Sequence, residues 1–420
     1  MTINADLKIY LVGGAVRDEI LAQPVSDRDW VVIGSTPKTM QEMGYRPVGS
    51  HFPVFIHPQS HEEYALARTE RKVSAGHQGF SFNTSPQVTL EQDLLRRDIT
   101  INAMAKDCDG VIIDPYGGQR DIEARLLRHV SPAFAEDPLR VLRVARFSAR
   151  FKPLGFSVAT ETLDLMQQIA RSGELSSLSA ERVAAELQAA LSYKDPQPFF
   201  STLRACDALA ELFPEFDALY GVPQVAEHHP EIDCGIHNEL VLQQIGRISD
   251  NPVAKYAALC HDLGKATTPK NILPSHHGHE ERGADIAQNL SERLRLPNDY
   301  RRLAVLTARY HTHCHRALEL KASTLLNLLS SLDALRRPEH FEIFLKVCES
   351  DARGRKGSEN CHYPQADYLR NALKELAAVE AGTIASEAQQ SGKDVAVEIR
   401  HARLDVIKKF VRKHKADDEY

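Results

Sequence analysis

Two acidic side chains near the N-terminus are the first residues that could do chemistry. Asp27 and Asp29 are one residue apart in the run DRDWVVIG, which predicts a β-strand with both carboxylates on one face. Carboxylates this close repel each other unless a cation lies between them. Mg²⁺ prefers such oxygen ligands together with substrate phosphates. The pair therefore predicts a divalent-metal site that acts on a phosphate ester.

A glycine pair precedes these carboxylates. Gly13 and Gly14 follow the apolar run KIYLV and precede AVRDEIL. A strand, a glycine turn and a helix N-terminus expose backbone N–H groups that suit a phosphate. Alone, the glycines predict only a tight turn. Together with Asp27 and Asp29 they favour nucleotidyl transfer, in which one metal ion activates the attacking hydroxyl and a second stabilises the leaving pyrophosphate.

A third carboxylate would complete such a metal site. Glu63, in the strand-like run EEYALAR, is the candidate, and Glu62 is the alternative. An exposed edge strand would explain both residues equally well.

Arginines at helical spacing could neutralise a triphosphate. Arg17 lies one helical turn after Gly14, and RRDITINAM places Arg96 and Arg97 just before a predicted helix. In DPLRVLRVARF, basic residues recur every third position and share one helix face; they are Arg140, Arg143 and Arg146. The alternative is a helix surface with ordinary salt bridges.

The predicted fold class is α+β. To about residue 128, short apolar runs typical of strands alternate with helical segments, which predicts a mixed sheet with helices. From about residue 131, helical patterns continue to the end. The stretch Val73–Pro86 is rich in glycine, serine, histidine and asparagine and predicts a mobile loop.

Composition restricts the functional class. The net charge is −6, so any nucleic-acid site must be a local basic patch. The basic run Val406–Lys415 is either a solvated terminal helix or a phosphate-contacting tail. The sequence contains no apolar run of 18 residues, which predicts no membrane span. The N-terminal residues lack a basic stretch followed by an apolar run, so we expect no secretory signal. Seven dispersed cysteines without a CxxC pair favour the reducing cytoplasm.

A second constellation lies in the C-terminal half. Ten of the nineteen histidines fall between His228 and His315. His261 and Asp262 end an apolar helical run, with His237 upstream and Asp351 downstream. Imidazoles and carboxylates together suit a divalent transition metal, which can turn water into a nucleophile. Further ligands could come from His276, His277 and His279. For any one histidine, a surface position is the simpler explanation.

The N-terminal segments occur in an order that resembles a known family. LVGGAVRD, DRD, RRDITINAMA, DPYGG with Asp121, and EDPLRVLRVARF together resemble the class II tRNA nucleotidyltransferases, the CCA-adding enzymes of bacteria. The first two segments resemble the signature of the DNA polymerase β nucleotidyltransferase superfamily. The resemblance implies a head, neck, body and tail architecture. Together with the change of pattern near residue 131 and the second constellation, it predicts a nucleotidyltransferase head (1–130), a helical neck and body (131–225), an HD domain around the second constellation (226–355) and a helical tail (356–420).

The same resemblance implies roles for individual residues. Gly14 and Arg17 would contact the nucleotide, and Asp27 and Asp29 would bind Mg²⁺. The residues implied in CTP and ATP binding are Arg97, Arg143 and Arg146. Asp137 and Arg140 would pair with the Watson–Crick edge of the incoming base, since a carboxylate accepts and a guanidinium donates in a plane. The loop Val73–Pro86 corresponds to a flexible element linked to the switch from C to A addition.

The second constellation resembles the H…HD…D pattern of the HD phosphohydrolase superfamily. This resemblance implies that His237, His261, Asp262 and Asp351 bind a metal, typically Ni²⁺, with His261 and Asp262 as catalytic residues. It also implies phosphatase and 2′,3′-cyclic phosphodiesterase activities. An HD site beside such a head resembles the multifunctional CCA proteins of gammaproteobacteria, with tRNA, CTP and ATP as partners.

Three other interpretations remain at this point. A poly(A) polymerase shares the head and neck but would usually have a basic extension and no HD domain. A phosphohydrolase could carry the head only as an RNA-binding module. A purely structural tRNA-binding protein would need neither metal site. Monomer and homodimer are both open.

Overall fold

A computed structural model describes residues 7–48, 54–72, 80–227 and 229–417 of the 420-residue chain. The chain folds as two compact units. Unit 1 contains residues 1–190 and 198–212, and unit 2 contains residues 191–197 and 213–420.

Unit 1 is built on a seven-stranded sheet. Its strands are β1 (Lys8–Val12), β2 (Asp29–Ile33), β3 (Arg46–Val48), β4 (Val54–Ile56), β5 (Glu63–Leu66), β8 (Ala105–Lys106) and β9 (Ile112–Ile113). The order is β3-β4-β5-β2-β1-β8-β9. Strands β2 and β5 are parallel and the other neighbours are antiparallel, so the predicted mixed sheet is confirmed.

The sheet is covered on both faces because successive side chains of a strand point to opposite sides. Val31 packs with Val12 and Leu94 on one face. Its neighbour Val32 packs with Met40 and Phe55 on the other. Asp29, at the exposed start of the same strand, is therefore held on a rigid support.

Helices and short strands complete unit 1. The helices are α1 (Gly14–Ile20), α2 (Pro37–Glu42), α3 (Leu90–Leu95), α4 (Gly118–Glu123), α5 (Leu139–Phe151), α6 (Thr160–Arg171), α7 (Ala180–Ser192), α8 (Gln197–Ala205) and α9 (Ala208–Leu212). The strand pairs are β6 (Thr69–Lys72) with β7 (Phe80–Asn83), and β10 (Leu126–Leu127) with β11 (Ser157–Val158). The chain passes between the two units near the end of α7, near the start of α8 and after α9.

Unit 2 is helical in its described residues. Its helices are α10 (Pro214–Asp217), α11 (Cys234–Ile248), α12 (Pro252–Cys260), α13 (His279–Arg293), α14 (Asn298–His315), α15 (Ala322–Ser331), α16 (Pro338–Arg353), α17 (Pro364–Ala377), α18 (Ala381–Gln390) and α19 (Val395–Asp417). The predicted helical remainder is thus confirmed. Within the described ranges, every helix is too short or too polar to cross a membrane.

Two local predictions differ from the structure. Strand β2 begins at Asp29, so the prediction that Asp27 belongs to it was wrong, and Asp27 lies in the preceding loop. Arg96 and Arg97 follow α3 and are succeeded only by a short 3-10 turn, so they do not precede an α-helix. Of the predicted mobile loop, residues 73–79 lie outside the described residues. The four-part domain division stays a prediction.

Candidate active-site cleft and candidate metal centre

One face of unit 1 contains a cleft of about 710 Å³. Eight arginines and five aspartates contribute to its wall. The full lining is Gly14, Arg17, Asp18, Ser26, Asp27, Asp29, Arg96, Arg97, Asp98, Asn102, Asp137, Leu139, Arg140, Arg143, Arg146, Phe147, Arg150 and Arg182. The structure therefore brings together every arginine and aspartate that the sequence nominated for nucleotide chemistry.

The exposed carboxylates of the cleft are those of Asp27 and Asp29. Asp29 lies directly opposite Glu63 in the parallel pairing of β2 with β5, and directly paired residues project from the same sheet face. Glu62 instead accepts a hydrogen bond from Trp30 Nε1 at 3.1 Å. Strand β5 is flanked by β4 and β2, so it is not an edge strand. This geometry favours Glu63 over Glu62 as the third carboxylate.

Two features of the structure require glycine at position 13: its backbone conformation and the nearby side chain of Arg97. Gly13 has φ of 71°, the left-handed region that favours glycine. A Cβ atom on Gly13 would lie 2.6 Å from Nη1 of Arg97. Glycine at this position therefore lets the Arg97 guanidinium lie against the backbone at the start of α1. Arg97 also contacts Asp93, and its buried Nε has no hydrogen-bond partner among the described residues.

Arg17 is a buried residue of the cleft wall. Its guanidinium donates to both oxygens of Asp18 at 2.8 and 2.9 Å and to the side chain of Asn102. Asp18 also accepts from Arg150 at 2.8 Å. Burial lowers the pKa of Arg17, and the Asp18 carboxylate opposes that shift. Arg17 thus contributes positive charge from a fixed position in the cleft wall.

Asp98 is the buried partner of Arg143. Its Oδ2 accepts from Arg143 Nε at 2.8 Å, and its Oδ1 accepts from the Asn102 amide and the Ile99 backbone. Burial alone would raise the pKa of Asp98, but Arg143 and these hydrogen bonds hold it well below its usual range. The same contact raises the pKa of Arg143. Asp98 therefore stays ionised and fixes Arg143 at the cleft.

Asp137 and Arg140 lie in the same wall but contact different groups. The Asp137 carboxylate accepts from Arg182 at 3.0 Å. Arg140 donates to the backbone carbonyls of Ala133 at 2.8 Å and Arg96 at 2.6 Å. The two residues implied in base pairing are thus neighbours, and each is held by a third group.

Three arginines of the cleft lie around the ring of Phe147. Arg146 donates to Glu186 at 2.5 Å. The guanidinium carbons of Arg17, Arg143 and Arg146 lie 5.7, 5.7 and 4.5 Å from the centre of the Phe147 ring. Cations within about 6 Å of an aromatic face are attracted to it. Phe147 therefore helps to hold three like charges close together.

Sequence patterns assigned no role to the residues that pair with the cleft's charged groups. Asp18 and Asp98 lie within the segments LVGGAVRD and RRDITINAMA, but no role was predicted for them. Arg182 and Glu186 lie outside those segments. The one available signal was helical spacing, since Arg182 and Glu186 are four residues apart on α7 and project from one face.

We predict that Asp98→Asn lowers the free energy of unfolding of unit 1 by about 1–3 kcal/mol. The substitution removes the buried carboxylate charge that accepts a hydrogen bond from Arg143. The fluorescence of Trp30, the single tryptophan, reports unfolding of this unit. A carboxylate with a depressed pKa stabilises the fold above its ordinary pKa, and this contribution disappears as pH falls. The difference between variant and wild type should be constant from pH 7 to 5 and shrink below about pH 4.

The control for this prediction is Asp109→Asn, which changes an exposed carboxylate outside the cleft. It should leave the unfolding free energy within about 0.5 kcal/mol of wild type. A pH-independent loss in Asp98→Asn would contradict the assigned ionisation.

Helices of unit 2 converge on the candidate metal centre. His237 is on α11, His261 and Asp262 follow α12, and Asp351 is on α16. His237 Nε2 lies 3.0 Å from Asp351 Oδ1. His261 Nε2 lies 3.2 Å from Asp262 Oδ2 and 3.8 Å from Asp351 Oδ1. The structure brings the four residues of the H…HD…D pattern together in a buried cluster.

The electrostatics of this cluster favour a cation. His261 Nε2 and Asp262 Oδ1 are buried atoms without a hydrogen-bond partner among the described residues. Burial alone would lower the pKa of His261, but Asp262 and Asp351 outweigh it and raise that pKa to about 9. The pKa values of both carboxyls are held well below their usual range, chiefly by histidines that oppose the effect of burial. The donor set of imidazoles and carboxylates therefore fits a divalent transition metal.

A second set of ligand-type atoms shares Asp262. Its Oδ1 lies 3.5 Å from Nε2 of both His279 and His311. Of the three histidines proposed as further ligands, only His279 joins this set. His276 is held by Thr268 and the carbonyl of Pro223, and His277 is exposed. Sequence reasoning missed His311, whose signal was its position one helical turn before His315 on α14.

A third set surrounds His237. Glu231 Oε1 lies 2.8 Å from His237 Nδ1 and 3.1 Å from His229 Nδ1. In the described part of the chain, the groups of three ligand-type atoms within 4.8 Å of one another all lie in unit 2; they are His237/His261/Asp351, Asp262/His279/His311 and His229/Glu231/His237. Lys265 Nζ adds a positive charge 2.6 Å from Asp262 Oδ2.

Comparison with family models divides the chain into three matched parts. Residues 9–128 match the poly A polymerase head domain, residues 155–220 match a probable RNA and SrmB-binding site of polymerase A, and residues 235–337 match the HD domain.

Relatives match over nearly the whole length. The chain is 56% identical over 404 residues to a multifunctional CCA protein of Thioalkalivibrio sulfidiphilus, covering 96% of this chain and 98% of the relative. It is 53% identical over 401 residues to a multifunctional CCA protein of Hahella chejuensis, covering 96% and 95%.

Solved structures share the fold at low identity. A CCA-adding enzyme in complex with ATP matches with a TM-score of 0.65 at 19% identity, covering 96% of this chain and 86% of that one. A Thermotoga maritima CCA-adding enzyme complexed with tRNA matches with a TM-score of 0.57 at 19% identity, covering 89% and 79%.

Proposed function

The chain belongs to the family of multifunctional CCA proteins, and from this premise we propose that it adds and repairs the 3′-terminal CCA of tRNA. It uses CTP and ATP and needs no nucleic-acid template. The observation that carries the proposal is the cleft of unit 1, where two exposed carboxylates face a wall of arginines. A second activity, phosphatase and 2′,3′-cyclic phosphodiesterase, is proposed for the HD site.

Nucleotidyl transfer is proposed to follow a two-metal mechanism. Asp27 and Asp29 would hold Mg²⁺, with Glu63 beside Asp29. The exposed, incomplete ligand set fits an ion that takes its remaining ligands from phosphates and water. When bound, the ions supply positive charge at the attacking and leaving oxygens. The chain's own contribution is to neutralise the triphosphate with Arg97, Arg143 and Arg146 and to orient it over the glycine turn.

Base selection is proposed for Asp137 and Arg140. The planar guanidinium donates and the carboxylate accepts, so together they can complement C or A without a template strand. Arg140 now donates to two backbone carbonyls, and Arg182 contacts Asp137. The role therefore requires Arg140 to exchange at least one carbonyl for the base, while Arg182 holds the Asp137 carboxylate in place.

Phosphoester hydrolysis is proposed for His237, His261, Asp262 and Asp351 with a divalent transition metal, Ni²⁺ in the first instance. When bound, such a metal makes water nucleophilic near neutral pH. Glu231 faces His237 Nδ1 and leaves Nε2 for the metal side. Lys265, also buried beside Asp262, supplies a positive charge that can receive a phosphate oxygen.

The proposed partners are tRNA, CTP and ATP, and the seven free cysteines fit a cytoplasmic location. A poly(A) polymerase is disfavoured by the HD site and by the absence of a basic excess in the composition. A hydrolase whose head only binds RNA remains a distinct hypothesis, and substitutions at each site discriminate it.

We predict that Asp27→Ala combined with Asp29→Ala reduces incorporation of labelled CTP into tRNA lacking its CCA end by at least about 100-fold, since the transition-state charge loses its stabilisation. Hydrolysis of a 2′,3′-cyclic phosphate should be unchanged. Asp109→Ala serves as the control. Retained CTP incorporation in the double variant would favour the hydrolase hypothesis.

We predict the reverse pattern for His261→Ala. Removing this imidazole should abolish hydrolysis of 2′,3′-cyclic AMP while CTP and ATP incorporation persist. His277→Ala, which alters an exposed histidine of the same unit, should keep both activities. Cyclic-phosphate hydrolysis by His261→Ala at the wild-type rate would contradict the catalytic role proposed for His261.

A further inference from the structure

The two carboxylate oxygens of Asp351 face different surroundings. Oδ1 lies 3.0 Å from His237 Nε2 and 3.8 Å from His261 Nε2. Oδ2 lies 2.6 Å from Nε2 of His315, a residue outside the H…HD…D pattern. One oxygen is thus directed to the proposed metal, and the other is held by a neighbouring imidazole.

The His315 ring is itself fixed at its second nitrogen. Nδ1 lies 2.9 Å from the hydroxyl of Tyr363, which is 6% exposed and directly precedes α17. When the hydroxyl donates to Nδ1, the ring proton is on Nε2 and donates to Asp351. Gln365 Nε2 also donates to the backbone carbonyl of His315 at 3.1 Å. The Tyr363 hydroxyl also lies 3.4 Å from Cys314 Sγ, a weak acceptor at a longer distance. With the hydroxyl donating to His315 Nδ1, the donors and acceptors from Tyr363 through His315 to Asp351 are consistent.

We propose that His315 and Tyr363 are positioning residues for the metal ligand Asp351. His315 fixes the orientation of the Asp351 carboxylate, and Tyr363 fixes the tautomer of His315. The inference rests on the proposed function, since it takes Asp351 as a ligand. Outer hydrogen bonds of this kind raise metal affinity by about 10- to 100-fold because the free ligand is already oriented.

A purely structural role of His315 and Tyr363 would have different consequences. If the chain only satisfies buried polar groups, its loss lowers the stability of the metal-free protein and leaves metal affinity unchanged. A positioning role changes the metal dissociation constant even where the metal-free protein remains folded. The two roles are therefore separated by measuring affinity and metal-free stability on the same variants.

The experiment titrates the full-length, metal-stripped protein with Ni²⁺ by calorimetry. His315→Ala should raise the Ni²⁺ dissociation constant by about 10- to 100-fold. His315→Gln keeps an N–H donor for Asp351 and should restore most of the affinity. Tyr363→Phe should weaken binding in the same direction by a smaller factor. His261→Ala defines the heat that comes from sites elsewhere in the protein.

The matched control is His313→Ala, which removes another histidine from the same helix and should bind Ni²⁺ as wild type does. Thermal melting without metal and CTP incorporation verify that each variant is folded. Wild-type Ni²⁺ affinity in His315→Ala, or a loss that His315→Gln does not relieve, would overturn the inference alone. Absence of His261-dependent Ni²⁺ binding in the unaltered protein would overturn the proposed HD function and the inference with it.

Discussion

The structure of the cleft depends on keeping many guanidinium groups close together. Two like charges 4 Å apart repel by about 4 kcal/mol at the effective dielectric constant of 20 typical near a protein surface. Carboxylates shared between arginines relieve this repulsion. Asp18 contacts Arg17 and Arg150, and Asp93 contacts Arg96 and Arg97. Each shared carboxylate keeps two positive charges in fixed positions.

Under the proposed function, this arrangement lets the cleft bind a polyanion in a protein with a net charge of −6. Three of the five aspartates that line the cleft, Asp18, Asp98 and Asp137, are buried or half-buried and already paired with arginines. The other two, Asp27 and Asp29, are exposed. Negative charge that would repel a triphosphate is thus compensated, while the two carboxylates suited to a metal stay accessible.

In the candidate metal centre of unit 2, the crowded charges are negative rather than positive. Carboxylates and imidazoles are crowded in a buried site where Lys265 is the nearby cation. The negative charges of Asp262 and Asp351 favour the protonated imidazolium and so raise the pKa of His261. A divalent metal would neutralise the same two carboxylates. Glu231 contacts the second ring nitrogen of His237, and His315 contacts the second carboxylate oxygen of Asp351.

Residues with local patterns could be predicted from the sequence. Helical spacing placed Arg140, Arg143 and Arg146 on one face, and the strand of Asp29 followed from alternation. The partners Asp98, Glu186, His311 and Tyr363 could not be predicted, because their contacts depend on how distant helices pack. The start of β2 was also missed, since a strand boundary depends on pairing with β1 and β5 rather than on local alternation.

The central claim is that this cleft selects C and then A without a template. Sequencing the 3′ ends of tRNA that lacks CCA, after incubation with the wild-type protein, tests it most directly. The account predicts two added C residues with CTP alone, and CCA followed by termination with CTP and ATP together. Long A tails on unrelated RNA, without incorporation of C into the tRNA, would contradict it.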